Sequence, residues 1–140
     1  MQIIYYRGGK REFAPPEIFA NQPYNGFKYD IFSLGQLLFM LVIGNFGFNS
    51  SKNNDIYYAR IINHQYDEYW KLVLEPNLNL SDSFKNLFVR MVAYNPNERP
   101  TIEEILASLW MNEITNLNQD ELNTLEQEIR TELHNREAAI

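Results

Sequence analysis

The side chains whose types could support catalysis or metal binding are few and lie far apart in the sequence. Glu17 follows a double proline, Asp30 leads a strongly apolar run, and the two histidines, His64 and His134, are widely separated. Glutamate is usually exposed, so Glu17 alone indicates a surface acid, and Asp30 alone indicates a helix N-cap. His64 lies in a polar stretch, where we expect it to be solvated. With no cysteine to supply a thiolate, these residue types by themselves predict no metal site.

Length and charge restrict the class of protein. The 140 residues, of which 45% are hydrophobic, suffice for one domain with a core plus an appendage. The formal net charge is −6, whereas nucleic-acid-binding proteins usually carry a basic patch or stripe. We therefore expect protein partners and no nucleic acid.

The sequence predicts neither a signal peptide nor a membrane span. The opening residues, MQIIYYRGGKREF, reach charged side chains after a short apolar stretch, so they lack the hydrophobic centre of a signal peptide. The longest apolar run, from Ile31 to Ile43, has about 13 residues, fewer than the ~20 that a spanning helix needs. We expect this run to be a buried core helix of a cytoplasmic protein.

Helices must position Glu17 and Asp30. The double proline at 15 and 16 predicts a turn or helix start over 16–20, and the Asn, Pro and Gly content of 21–28 predicts a surface loop. From Tyr29 to Ile43 apolar residues occupy every face of a predicted helix, which Gly44 would end. A helix that is apolar all round is expected to be buried on all sides.

The second half of the chain predicts further helices. A helix is expected over 55–63, while 66–76 is ambiguous, with Trp70, Leu72, Val73 and Leu74 expected to pack inward. Ser81 is a good N-cap for a helix that is expected to end near Tyr94, because Pro96 cannot continue it. Thr101 and Glu104 form a capping-box pattern, which predicts one helix over 101–111. Its expected core stripe is Ile102, Ile105, Leu106 and Leu109.

The last part of the chain differs in composition from the rest. Residues 115–119 form a polar linker, and an acidic amphipathic helix is predicted from Asp120 to about Glu137. The expected organisation is a mainly helical domain over 1–114, a linker over 115–119 and an acidic helical tail over 120–140. The apolar stripe of this tail is too short to predict a coiled coil.

Four motifs in order resemble the C-terminal half of a eukaryotic serine/threonine protein kinase domain. They are 14-APPE-17, 30-DIFSLG-35, 95-NPNERPT-101 and 105-ILASLWM-111. In that family the first motif closes the activation segment and the second opens the buried central helix. The third matches the family's Asp-Pro-x-x-Arg-Pro-Thr, and the fourth matches its usual ending, Ile-Leu-x-His-Pro-Trp. The resemblance implies a mainly α fold, the helical C-terminal lobe of a kinase-like fold without the β-rich nucleotide-binding lobe.

The resemblance also implies roles for individual residues. Pro16 and Glu17 are in register with the family's Ala-Pro-Glu motif, and Glu17 would form a buried ion pair with Arg99. Asp30 would hold the backbone of the catalytic loop by hydrogen bonds, and Gly35 would permit close packing of the central helix. These roles are structural, and the resemblance places no catalytic, cofactor-binding or metal-binding residue in this chain.

The motifs depart from the family pattern at the end of the activation segment. Lys10 stands where a threonine usually contacts the catalytic aspartate, and Phe13 stands where tyrosine is usual. The sequence also contains no His-Arg-Asp, Asp-Phe-Gly, Gly-x-Gly-x-x-Gly or Val-Ala-x-Lys motif. ATP and magnesium are therefore implied for a full-length kinase and are not expected to bind this chain.

Three functions remain open from the sequence. The chain is part of a kinase that phosphorylates serine or threonine in proteins, or a non-catalytic kinase-like module that binds proteins, or a helical adaptor whose motifs are coincidental. Apolar surface that other parts of a kinase would cover is expected to be exposed, so the sequence also predicts self-association.

Overall fold

The computed structural model describes residues 3–4, 9–115 and 119–138. These residues are mostly helical, which confirms the predicted fold class. The helices are α1 (Pro16–Phe19), α2 (Gly26–Ile43), α3 (Tyr58–Ile62), α4 (Tyr66–Val73), α5 (Asp82–Met91), α6 (Ile102–Leu106), α7 (Leu109–Thr115) and α8 (Gln119–Ala138). Two short strands, β1 (Ile3–Ile4) and β2 (Tyr24–Asn25), pair antiparallel, and 3₁₀ turns span Arg11–Phe13 and Pro96–Glu98.

Helix α2 begins earlier than predicted and ends where predicted. Residues 26–28 are helical rather than a loop because the side chain of Asn25 accepts hydrogen bonds from the backbone N–H groups of Phe27 and Lys28, at 2.9 and 3.4 Å. Such a cap satisfies donors that have no partner inside the helix. At the other end Gly44 adopts a left-handed φ of 86°, a conformation that glycine reaches without steric cost.

The core is an aromatic cluster between α2 and α5. Phe39 of α2 lies against Phe88 of α5 with ring centroids 4.8 Å apart, and Phe48 lies 4.7 Å from Tyr58. The buried aromatic members are Phe32, Phe39, Phe48, Tyr58, Tyr69, Trp70, Phe84 and Phe88. Rings of this size bury large apolar areas, so this cluster fixes the position of α2 beneath the segments that contain Glu17 and Arg99.

The expectation that α2 is buried on all sides is wrong. Phe32 and Phe39 are buried, but Leu37 is 41% exposed and Leu41 is 74% exposed. The helix has a core face and an open apolar face because no other described element covers the latter. By length and composition alone, α2 is the one helix among the described residues that would suit a membrane span, although Phe32 and Phe39 on its core face belong to the aromatic cluster.

The single helix predicted over 101–111 is two helices, and its core stripe is mostly exposed. Helix α6 ends at Leu106, and Ser108 starts α7 by accepting a hydrogen bond from the backbone N–H of Met111 at 3.3 Å. Serine side chains compete with helical backbone bonds in this way. Ile105 is buried, whereas Ile102, Leu106 and Leu109 are exposed. The predicted capping box at Thr101 and Glu104 is present.

Two other predicted elements differ in detail. The ambiguous stretch 66–76 contains α4, in which Trp70 is buried as expected but Leu72 is half exposed, contrary to expectation. The acidic tail forms α8, whose Leu122, Leu125, Ile129 and Leu133 are partly exposed. Thr115, from the predicted linker, is the last residue of α7, and residues 116–118 lie outside the described part. The division into domain, linker and tail stays a prediction.

Candidate functional site

The segment over residues 9–20, called here the anchored segment, is fastened to the helical core through its backbone. The carbonyls of three consecutive residues each accept a hydrogen bond from a side chain of the core. The pairs are Gln36 Nε2 to Glu12 at 3.1 Å, Ser33 Oγ to Phe13 at 2.9 Å and Ser51 Oγ to Ala14 at 2.6 Å. Three successive bonds of this kind fix both the path and the register of the segment, because each buried carbonyl requires a partner.

Glu17 and Arg99 form the ion pair that the resemblance implies. Arg99 Nη1 donates to Glu17 Oε1 at 2.7 Å, and Arg99 Nη2 donates to Glu17 Oε2 at 2.8 Å. The side chains are 0% and 9% exposed for Arg99 and Glu17, so the pair is shielded from water. A bidentate guanidinium–carboxylate pair fixes orientation as well as distance. It therefore joins α1 to the turn before α6 across 82 positions of sequence.

The remaining donors of Arg99 are also satisfied. Its Nε donates to the carbonyl of Ala93 at 2.9 Å, its Nη1 also donates to that of Lys28 at 3.0 Å, and its Nη2 also contacts that of Tyr94 at 3.5 Å. The guanidinium lies 4.9 Å from the ring centroid of Phe32, a cation–π distance. Arg99 is thus a buried cation whose five N–H groups all have acceptors.

The resemblance also assigns structural roles to Pro16, Asp30 and Gly35. Pro16 is buried at the first turn of α1. Gly35 lies against α5, where a Cβ at its position would come within 2.9 Å of side-chain atoms of both Met91 and Val92. Asp30 is exposed beside the open face of α2, at a groove of about 470 Å³. The structure therefore brings Pro16, Glu17 and Arg99 together, and it places Asp30 on the exposed side of the same domain.

Lys10 and Phe13 lie in the anchored segment. Lys10 is exposed immediately before the 3₁₀ turn, and the ring of Phe13 makes an edge contact with Phe46 at 5.7 Å between centroids. Phe13 therefore has a packing role in this chain. Because Lys10 is exposed, its ammonium group could contact a charged group of another molecule.

Sequence reasoning missed Gln36. Its side chain is fully buried, and besides its bond to Glu12 it donates to the carbonyl of Phe48 at 2.9 Å and accepts from the N–H of Gly47 at 3.1 Å. The available signal was one amide inside the apolar run 31-IFSLGQLLFMLVI-43, because a buried polar side chain needs partners. Gln36 connects α2, the anchored segment and the turn at 47–48.

Burial controls the ionisation of the tyrosines near this site. The pKa of Tyr58 is raised far above its usual 10.0, mainly by burial, although the charge of Arg99 opposes the rise. Its hydroxyl donates to the carbonyl of Val92 at 2.9 Å. Burial likewise raises the pKa of Tyr69 well above 10.0, and its hydroxyl donates to the carbonyl of Gly47 at 3.0 Å. Both tyrosines are therefore neutral hydrogen-bond donors at physiological pH.

The side chains that could bind a metal ion are dispersed among the described residues. No group of three or more histidine or carboxylate side chains converges within the described ranges, and magnesium with ATP needs carboxylate ligands and phosphate-binding groups. The arrangement around Glu17 and Arg99 is an anchor. The two charges neutralise each other, and the remaining N–H groups of Arg99 donate to backbone carbonyls. It can position a segment of chain but has no free group to transfer a proton or a phosphoryl group.

Known proteins share this sequence pattern. The sequence profile of the family described as "Protein kinase domain" matches residues 5–111. The chain is 33% identical over 129 residues to serine/threonine-protein kinase kin-29 of Caenorhabditis briggsae. This match covers 92% of the chain and 15% of that protein. It is 34% identical over 105 residues to sperm motility kinase Z of Mus musculus, covering 75% of the chain and 19% of that protein.

A third relative, from a fungus, matches a similar share of the chain. Protein kinase kin1 of Schizosaccharomyces pombe is 35% identical over 103 residues, covering 74% of the chain and 10% of that protein. The chain thus spans less than a fifth of the length of each of these three relatives. The matched range contains the anchored segment, the Glu17–Arg99 pair and the core helices.

Proposed function

Because this chain belongs to the protein kinase domain family, we propose that it is the helical base of a serine/threonine kinase that phosphorylates proteins. In the complete kinase, this portion would hold the end of the activation segment and the backbone of the catalytic loop. ATP and magnesium would be bound by residues other than those described here, so no catalytic step is assigned to this chain. We further propose that the protein acts in the cytoplasm.

The observation that carries the proposal is the anchored segment. Residues 12–17 are held against the core by one bidentate ion pair and by three hydrogen bonds, each from a side chain of the core to a backbone carbonyl. Phosphoryl transfer depends on the placement of the segment that meets the substrate, so rigid anchoring of this segment supports the proposal. Asp30, exposed on the same helix that anchors the segment, is available to hold a further loop.

Two measurements test the proposal. The full-length transcript is expected to encode the catalytic-loop and magnesium-binding motifs in the same reading frame as these residues. The protein translated from it is expected to transfer the γ-phosphoryl group of ATP to a protein substrate, while the 140-residue chain alone does not. A transcript without those motifs, or a translated protein without transferase activity, would contradict the kinase assignment.

A second function, a non-catalytic module that binds proteins, is favoured by the open face of α2. Leu34, Leu37 and Leu41 are exposed on one helix, and apolar residues grouped on a surface favour association. Under this function the chain alone binds a protein or itself, and replacing Leu37 and Leu41 by asparagine lowers the mass measured by light scattering. A thermal shift caused by ATP and magnesium would argue against this function.

A further inference from the structure

A pocket of about 360 Å³ lies between α1 and the turn that follows the loop at 45–50. Its walls include Phe19 of α1, Lys52, Asn53 and Asn54 of the turn, and Tyr94. The walls combine an aromatic surface with one cation and two amide side chains. No aspartate or glutamate lines it, although the chain as a whole has a net charge of −6.

Two cations lie near the aromatic ring of Phe19, which lines this pocket. The Nζ atom of Lys52 lies 5.1 Å from the ring centroid of Phe19, and Cζ of Arg11 lies 5.9 Å from the same point. Both distances are within the range of cation–π contacts. One positive charge from the turn and one from the anchored segment therefore lie near the same ring, and Lys10 adds a further exposed cation next to Arg11 in the sequence.

Two acids close to this pocket in the sequence, Glu17 and Asp55, are occupied elsewhere. Glu17 is paired with Arg99. Asp55 faces its own loop, where its carboxylate accepts hydrogen bonds from backbone N–H groups, two on each oxygen. The four donors, with their distances, are Asn49 at 3.2 Å, Ser50 at 3.2 Å, Tyr57 at 3.0 Å and Tyr58 at 2.9 Å.

The positive charge of the pocket is consequently not neutralised by an ion pair within the described residues. The ion pairs found there are Glu17–Arg99 and Glu132–Arg136, and neither contains Arg11 or Lys52. An anion in the pocket is attracted by Lys52, which lines it, and by the nearby charge of Arg11. A carboxylate at this point would also find the amide N–H groups of Asn53 and Asn54 as donors.

We propose that this pocket binds an acidic segment of a protein partner. A carboxylate of the segment contacts Lys52, Arg11 adds to the positive potential, and the adjoining chain lies against Phe19 and Tyr94. A protein ligand fits the mixture of aromatic surface, amides and cations. The strongly acidic chain as a whole disfavours nucleic acid, which requires an extended basic surface. The binding needs neither ATP nor phosphoryl transfer, so it goes beyond the proposed kinase function.

The test measures peptide binding directly on the 140-residue chain. The probe is a fluorescein-labelled peptide rich in glutamate, and its matched control has glutamine at every glutamate. Fluorescence anisotropy is expected to show binding of the glutamate peptide that weakens with added salt, and little binding of the glutamine peptide. Equal binding of the two peptides, or no binding of either, overturns the proposal.

Charge variants locate the binding. Lys52→Glu is expected to weaken binding of the glutamate peptide by about tenfold or more, as expected for losing a charge-assisted contact and gaining a repulsive one. Lys71→Glu is the matched control, since it makes the same change in net charge in α4, away from the pocket. Equal weakening by both variants would mean a general charge effect and would refute the site.

Folding and self-association have their own controls. Lys52→Gln removes the charge without adding a repulsive one, and circular dichroism confirms that each variant is folded. If light scattering shows that the chain pairs with itself through this pocket, and Lys52→Glu abolishes that pairing, the occupant is a second copy and the assignment to a partner is wrong. Absence of transferase activity leaves these binding results unaffected, so the two proposals fail separately.

Discussion

Replacing Glu17 by glutamine leaves Arg99 as a buried cation without its counter-charge. The Arg99 side chain is 0% exposed, and the remaining acceptors are backbone carbonyls, which carry only partial charge. Breaking a buried pair by removing one partner costs ~3–5 kcal/mol, since the surviving charge stays desolvated. Glu17→Gln is therefore expected to lower the free energy of unfolding by about that amount.

The expected loss in the free energy of unfolding corresponds to a fall in the melting temperature, Tm. An unfolding entropy of about 2 cal/mol/K per residue gives a chain of 140 residues about 0.3 kcal/mol/K. The expected fall in Tm is then about 10–17 °C by differential scanning calorimetry. Glu132→Gln is the matched control, because it breaks the exposed Glu132–Arg136 pair, whose side chains are 64% and 75% exposed. Exposed pairs contribute ~0–1 kcal/mol, so that variant should melt within a few degrees of the wild type.

A double-mutant cycle separates the pair from its surroundings. With Glu17→Met and Arg99→Met together, no buried charge is stranded, and apolar replacements of buried pairs are often neutral or stabilising. The double variant is expected to be more stable than Glu17→Met alone. The reasoning is refuted if Glu17→Gln costs no more than the Glu132→Gln control, or if the two methionine substitutions are additive.

Three further predictions concern the packing around this anchor. Gly35→Ala should lower the free energy of unfolding by about 1–3 kcal/mol, as overpacking does, because its Cβ would come within 2.9 Å of α5 side chains; equal stability in urea denaturation would contradict the close packing. Gln36→Leu should destabilise by about 1–3 kcal/mol, since it strands buried backbone groups, and hydrogen exchange of the Gly47 amide should accelerate; unchanged exchange would exclude the proposed connection. Because the pKa of Tyr58 is raised in the folded state, its contribution to the free energy of unfolding is complete below pH 10. That contribution is lost as the tyrosine ionises in the unfolded chain above pH 10, by about 1.4 kcal/mol per pH unit. Urea titrations at pH 10 and pH 11 should therefore show a shallower pH dependence of stability for Tyr58→Phe than for the wild type, and identical slopes would refute the burial argument.

Local signals in the sequence predicted the ends of several helices well. Ser81 caps α5, Thr101 and Glu104 form a capping box, and Gly44 ends α2. Each of these depends on a few neighbouring residues, whose side chains and backbone angles are settled within one turn. The start of α2 was misplaced because Asn25 was counted as a loop residue when it is a cap.

Burial was harder to predict because it depends on elements that are distant in the sequence. The pattern of α2 predicted burial on every side, but Leu37 and Leu41 are exposed since no described element lies over them. The stripe over 101–111 was predicted as core, but Ser108 divides it into two helices, and Leu109 turns outward. Periodicity identifies an apolar face without showing what covers that face.

The sequence by itself determined the family, through ordered motifs, and the helical composition of the chain, through caps, prolines and apolar periodicity. The tertiary structure alone decided that Gln36 connects three segments, that successive carbonyls of the anchored segment find side-chain partners, and that Lys52 and Arg11 both lie at cation–π distance from Phe19. The reason is physical: a cap or a turn is completed by neighbours in sequence, whereas a buried amide or a pair of cations acquires its role only when folding brings distant residues together.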